Sequence, residues 1–95
     1  MIHVLARIDI KPESAAAAKA ILTTLVNESR KEPGCIAYTL YAQADAPHLF
    51  RTDEQWRDQA SVDAHMKSAH VGAAIAAASP MFAAPPEILT FEKLM

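Results

Sequence analysis

With 95 residues, one cysteine and a net charge of −2, the chain has the length of one domain, residues 1–95, and not of two. Its charges are mixed and form no basic stripe, which argues against nucleic acid as a partner. No apolar run approaches the roughly 20 residues that span a bilayer, the charged opening MIHVLARIDIK has no small-residue cleavage site, and the lone thiol Cys35 fits a reducing cytoplasm.

Residues 2–10 alternate, with Ile2, Val4, Ala6, Ile8 and Ile10 on one side and His3, Leu5, Arg7 and Asp9 on the other. Period 2 with β-branched residues predicts a strand, which Pro12 helps to end. A helix is expected over about Glu13 to Lys31, because Ala18, Ile21, Leu22, Leu25 and Val26 make one apolar stripe. Pro33-Gly34 is its stop signal, with the glycine expected in a left-handed turn. A second strand, about Cys35 to Gln43, leads through a hairpin connection at Ala44 to His48 into a third, about Leu49 to Trp56.

Asp58 or Ser61 can cap a second helix, in which Val62, His65 and Met66 share a side. Ser68 can break it and cap a further segment from His70 to Ala78, and an alanine-rich helix can approach a sheet closely. A last strand is expected over about Glu87 to Leu94, after the prolines at 80, 85 and 86. The order β-α-β-β-α-β is the ferredoxin-like, split βαβ arrangement of the α+β class, with a four-stranded antiparallel sheet. Both faces of the strands carry apolar side chains, whereas a sheet with one solvated face alternates more cleanly. A two-fold homodimer covering the second face follows as an expectation.

The chemistry-bearing residues crowd into DEQWRDQASVDAHMKSAH, Asp53 to His70. The chain has no GxGxxG, P-loop, CxxC or HExxH. On one unbroken helix His65 and His70 diverge by roughly 140°, so no metal site is expected unless Ser68 interrupts the helix. His65 is the candidate for proton transfer, against the plainer reading of a core histidine bonded to a backbone carbonyl. His70 is a donor to a substrate oxygen or a capping residue. Trp56 stacks on an aromatic ligand or lids the sheet edge. Glu54, two residues before Trp56, shares its strand face and enters any pocket that Trp56 enters. Buried, it needs a raised pKa or a partner such as Arg51, Arg7 or a histidine; exposed, it is a cross-strand ion pair. Tyr38 and Tyr41 lie on opposite faces of the second strand, one for a pocket and one for an interface.

ARIDIKP near the start, EPGC at the helix-to-strand turn, DEQW followed by DAHMKSAH, and the closing PPEILTFEKL together resemble the antibiotic biosynthesis monooxygenase (ABM) family of dimeric α/β barrels, among whose members are YgiN-like quinol monooxygenases. The resemblance covers about residues 2–94. It implies a homodimer with a small pocket between sheet and helices, and oxidation of a small aromatic or quinol substrate by O₂ with no cofactor and no metal. Catalytic roles are carried over to His65, His70 and Glu54, and substrate contacts to Trp56, Tyr38 and Arg51. Haem-degrading relatives use an Asn, a Trp and a ligating His where this chain has Arg7, His65 and Ile75, so haem degradation is not implied. An isomerase of a phosphorylated carbonyl compound has a similar acidic-x-aromatic strand end and two similarly spaced histidines. A proton-shuttling isomerase and a non-catalytic ligand-binding dimer therefore stand as alternatives.

Overall fold

The computed structural model describes residues 1–95. Four strands, β1 (Ile2–Asp9), β2 (Cys35–Gln43), β3 (Ala46–Trp56) and β4 (Glu87–Phe91), form one antiparallel sheet in the order β2-β3-β1-β4. Three helices, α1 (Ala15–Ser29), α2 (Gln59–Met66) and α3 (Ala69–Ala78), complete the ferredoxin-like α+β fold. No helix is long and apolar enough to cross a membrane.

The register explains what faces the helices. β1 sets Ile2 against Trp56, Val4 against Glu54, Ala6 against Thr52 and Ile8 against Phe50. β2 sets Tyr38 against Glu54 from the other side. Because strand side chains alternate, these residues share one face. α1 packs Ala18, Leu22 and Val26 on it, and all three are buried. Two clusters result. Val4, Val26, Tyr38, Trp56 and Val62 fill one end, and Ile8, Ile10, Ala18, Leu22 and Phe50 fill the other. Each large apolar side chain buried there contributes about 1.5–3 kcal/mol relative to leaving it in water.

Several boundaries differ from the sequence expectations. Pro12–Ser14 form a 3₁₀ turn, so the first α-helix begins at Ala15 and not at Glu13; it ends at Ser29, with Arg30 as its cap residue. The Arg30 guanidinium then donates through Nε and Nη2 to the carbonyl of Tyr38, at 3.0 and 2.8 Å, and ties the helix end to β2. Gly34 does not sit in a left-handed conformation, since no glycine here has positive φ. It is required by space instead. A Cβ at Gly34 would fall on the Cβ and Oγ of Ser61 in α2.

The hairpin turn is only Ala44-Asp45, where Gln43 Nε2 donates to Asp45 Oδ1 at 2.8 Å, and the third strand starts at Ala46. Pro47 fits inside it because β1 pairs only from Leu49 onward, and on the β2 side it falls in the register shift between the Gln43–Ala46 and Ala42–Phe50 pairs, so it is paired with neither strand. β4 stops at Phe91, three residues earlier than expected. Phe91 pairs with His3, the last pair of the β1–β4 ladder.

The face of the sheet away from the helices carries Leu5, Tyr41, Leu89 and Phe91, all substantially exposed. Leu5 lies directly opposite Leu89.

Candidate active site

A cavity of about 550 Å³ opens between the sheet and the helices and draws its wall from both core clusters. Val4, Ala6 and Ile8 of β1 form part of one side, and Leu22, Leu25, Val71, Ala74 and Ala78 part of the other. The alanines keep α3 thin. The polar lining consists of Thr52, Glu54, Gln59, Asp63, His65 and Thr90, with the phenol-bearing Tyr38. It includes no Lys or Arg.

Glu54 is the first unusual group. It sits mid-sheet and is 3% exposed. Burial of a carboxylate is tolerated when donors surround it. Trp56 Nε1 donates to its Oε1 at 2.9 Å and Thr52 Oγ1 to its Oε2 at 2.7 Å. These donors belong to residues two before and two after it on β3, so strand alternation alone assembles the clamp.

His65 is the second, 4% exposed on α2. Its ring lies 4.5 Å from the Trp56 ring and 5.7 Å from that of Tyr38, centroid to centroid. Asp58 positions α2 by capping it. Its Oδ1 accepts from Ser61 N at 2.8 Å and from Ser61 Oγ at 2.7 Å, and these bonds hold the Asp58 carboxyl below the usual carboxylate range.

His65 and His70 do converge. The helix breaks after Met66, and Ser68 caps α3 with its Oγ accepting from Val71 N at 3.4 Å. The same hydroxyl donates to the carbonyl of His65 at 2.6 Å. The break brings the two imidazole rings to 5.9 Å, and both turn onto one carboxylate, that of Glu32. Its Oε2 lies 2.6 Å from His65 Nδ1 and 2.9 Å from His70 Nε2. An ionised carboxylate can only accept, so both facing nitrogens carry hydrogens in this arrangement. His65 Nε2, which makes no hydrogen bond, lies 4.0 Å from Glu54 Oε1 and carries the lone pair when the ring is neutral.

Glu32 was not among the residues singled out from sequence. It lies in the turn between α1 and β2, 33 residues from one histidine and 38 from the other. One signal was available. Helix C-termini favour cations, and a Glu just past the basic pair Arg30-Lys31 runs against that preference.

The remaining sequence candidates fall in different places. Tyr38 lines the cavity; burial, and then the Glu54 carboxylate beside it, pushes its phenol well above the ordinary value of 10.0. Trp56 is 0% exposed and does not line the cavity. It stacks against His65 and holds Glu54, rather than offering a face to a ligand. His70 stands behind Glu32, outside the cavity wall. Arg51 is not brought to this cavity. It alternates onto the opposite face, paired across the ladder with Arg7 and Tyr41, where it lines a separate depression with Leu5, Leu89 and Phe91. Cys35 is half-buried; burial, and then Glu32 and Glu54, push its thiol up.

Comparison with known proteins agrees with this architecture. The family model for antibiotic biosynthesis monooxygenases matches residues 1–77. The protein sll1783 of Synechocystis is 30% identical over 91 residues; these are 96% of this chain but 62% of that protein, so the chain spans less than two thirds of that relative's length. YcnE of Bacillus subtilis, whose name proposes a monooxygenase, is 29% identical over 97% of both chains. A crystal structure of an antibiotic biosynthesis monooxygenase superposes over 100% of both chains with a TM-score of 0.95 at 26% identity. The chain belongs to the antibiotic biosynthesis monooxygenase family.

Proposed function

We propose that the protein is a cofactor-independent monooxygenase that oxidises a small aromatic or quinol substrate with O₂. One observation carries the reading. A buried imidazole, held through Nδ1 by a carboxylate, borders an apolar cavity, and its Nε2 makes no hydrogen bond within the protein. His65 is the general base. It takes a proton from the substrate hydroxyl or activated C–H, and the resulting anion passes an electron to O₂. Substrate radical and superoxide combine to form the C–O bond. Cleavage of the O–O bond places one oxygen in the product and releases the other as water, with all four electrons supplied by the substrate. Tyr38 is a neutral donor on the same wall, and Glu54, its Oε1 4.0 Å from Nε2, stabilises the imidazolium once the proton has been taken. Exclusion of water by the apolar lining strengthens each of these interactions.

The absence of Lys and Arg from the lining supports an uncharged substrate. It weighs against the isomerase alternative in its phosphorylated form, because a buried phosphate needs cationic or backbone donors. The exposed Leu5, Tyr41, Leu89 and Phe91 support action as a homodimer that covers this face, as the ABM resemblance implies. The experiment is oxygen uptake with a panel of reduced quinones and polyphenols, using ¹⁸O₂ to follow the product. Incorporation of one ¹⁸O atom per turnover is expected. Conversion that proceeds equally under nitrogen establishes the isomerase instead, and binding without conversion establishes the ligand-binding dimer.

A further inference from the structure

We infer that Glu32, His65 and His70 form a binding site for a borderline divalent transition-metal ion, with Zn²⁺ as its representative. Each residue comes from a different part of the fold: the α1–β2 turn, α2 and α3. Each offers one ligand atom, and the three atoms all lie within 4.8 Å of one another. Two imidazole nitrogens and one carboxylate oxygen are a donor set that suits Zn²⁺ and its neighbours better than Mg²⁺ or Ca²⁺. Bonds of about 2.0–2.2 Å in a tetrahedral arrangement place such ligands roughly 3.3 Å apart. The two Glu32 contacts, 2.6 and 2.9 Å, need only a small expansion to reach that spacing.

Charge points the same way. Glu54 is buried and Glu32 partly so, and neither has a Lys or Arg ion-pair partner; the only cationic partners within reach are His65 and His70, although Trp56 and Thr52 also donate to Glu54. Two carboxylates on either side of the His65 ring, with His70 beside one of them, favour positive charge, and a divalent ion supplies it.

The outer contacts are also in place. A metal-bound imidazole turns its other N–H to a carboxylate, which fixes the tautomer. With an ion on Nδ1, His65 carries its proton on Nε2, and that nitrogen lies 4.0 Å from Glu54 Oε1. Glu54 is itself held by Trp56 and Thr52. In the ion-free state the same Nδ1 faces Glu32 Oε2 at 2.6 Å, and Nε2 is the nitrogen left for the substrate. Resting on the oxidation reading, a bound ion therefore removes the base and switches the site off. Binding itself does not depend on that reading.

The test is titration calorimetry with ZnCl₂ on metal-stripped protein. One ion per chain is expected for the wild type and for the control His48→Ala. Glu32→Gln and His70→Ala should each lose the stoichiometric site, and Glu54→Gln should weaken it by about 10–100-fold. Absence of stoichiometric binding to the wild type, or equal binding by Glu32→Gln and His70→Ala, overturns the inference. A second measurement needs no variant. Zn²⁺ should shift the imidazole ¹⁵N resonances of His65 and His70 and leave those of His3 and His48 in place; unmoved His65 and His70 resonances overturn it equally. Neither readout involves turnover, so a failure here and a failure of the oxidation reading are separately visible.

Discussion

Two residues of one turn do unrelated work. Glu32 collects two histidines, while Gly34, two positions later, makes room for α2. Gly34→Ala forces its new methyl group onto Ser61, whose hydroxyl is engaged by the Asp58 cap. Overpacking of this kind costs about 1–3 kcal/mol, so urea unfolding should show a lower midpoint at unchanged slope. An unchanged midpoint would mean that the turn yields freely. Tyr38 gives a prediction in pH. Its folded pKa is raised above 10.0 by burial, then by Glu54. At neutral pH the phenol is protonated in both folded and unfolded chains. Above pH 10 the unfolded chain ionises first, so folding stability declines as pH rises from the ordinary phenol value toward the raised one. Tyr38→Phe removes that titration, and its unfolding free energy should fall less steeply with pH there; parallel curves would contradict this. The sequence showed Glu54, His65 and His70 as candidates because they sit in one short, unusual stretch. Glu32 was hidden because EPG reads first as a helix stop, and contacts across more than 30 residues leave no mark in local spacing.

At the level of elements, the break between α2 and α3 decides whether a site exists. On a continuous helix the two histidines diverge; with Ser68 capping a new helix they meet on one carboxylate. Ser68→Ala removes both the cap and the bond to the His65 carbonyl. It should destabilise the fold by about 0.5–2 kcal/mol and loosen His70 from Glu32, visible as a changed imidazole ¹⁵N shift. A wild-type shift in that variant would show that packing alone sets the geometry. The cap on α2 responds to acid. Asp58 has a lowered folded pKa, so its support is present at neutral pH and is lost as pH falls through that lowered value. Period-2 and period-3.6 patterns revealed the order and type of the strands and α-helices. Ends were less legible, because they depend on partners elsewhere. β4 ends with the Phe91–His3 pair, and Pro47 is tolerated in β3 because β1 does not pair with it and the β2 register shifts across it.

At the scale of the molecule, alternation gives the sheet two different faces. One carries Val4, Tyr38, Thr52 and Glu54 toward the helices and the cavity. The other carries Leu5, Tyr41, Leu89 and Phe91 beside Arg7, Arg51 and Glu87. Arg51 shows why face assignment matters more than proximity in sequence. It is three residues from Glu54 yet belongs to the other face. A homodimer built on that face is expected to give twice the chain mass in light scattering at micromolar concentration, and Leu89→Asp should dissociate it; a monodisperse wild-type monomer would contradict the proposal. The oxidation proposed for the helix-facing cavity depends on His65 above all other residues. The most direct test is the rate of O₂ consumption with the best reduced quinone of a panel, wild type against His65→Ala, above the rate of autoxidation. Loss of a general base should lower that rate by about 10²–10⁴-fold while the folded structure persists by circular dichroism. Equal rates for the two proteins would contradict the account.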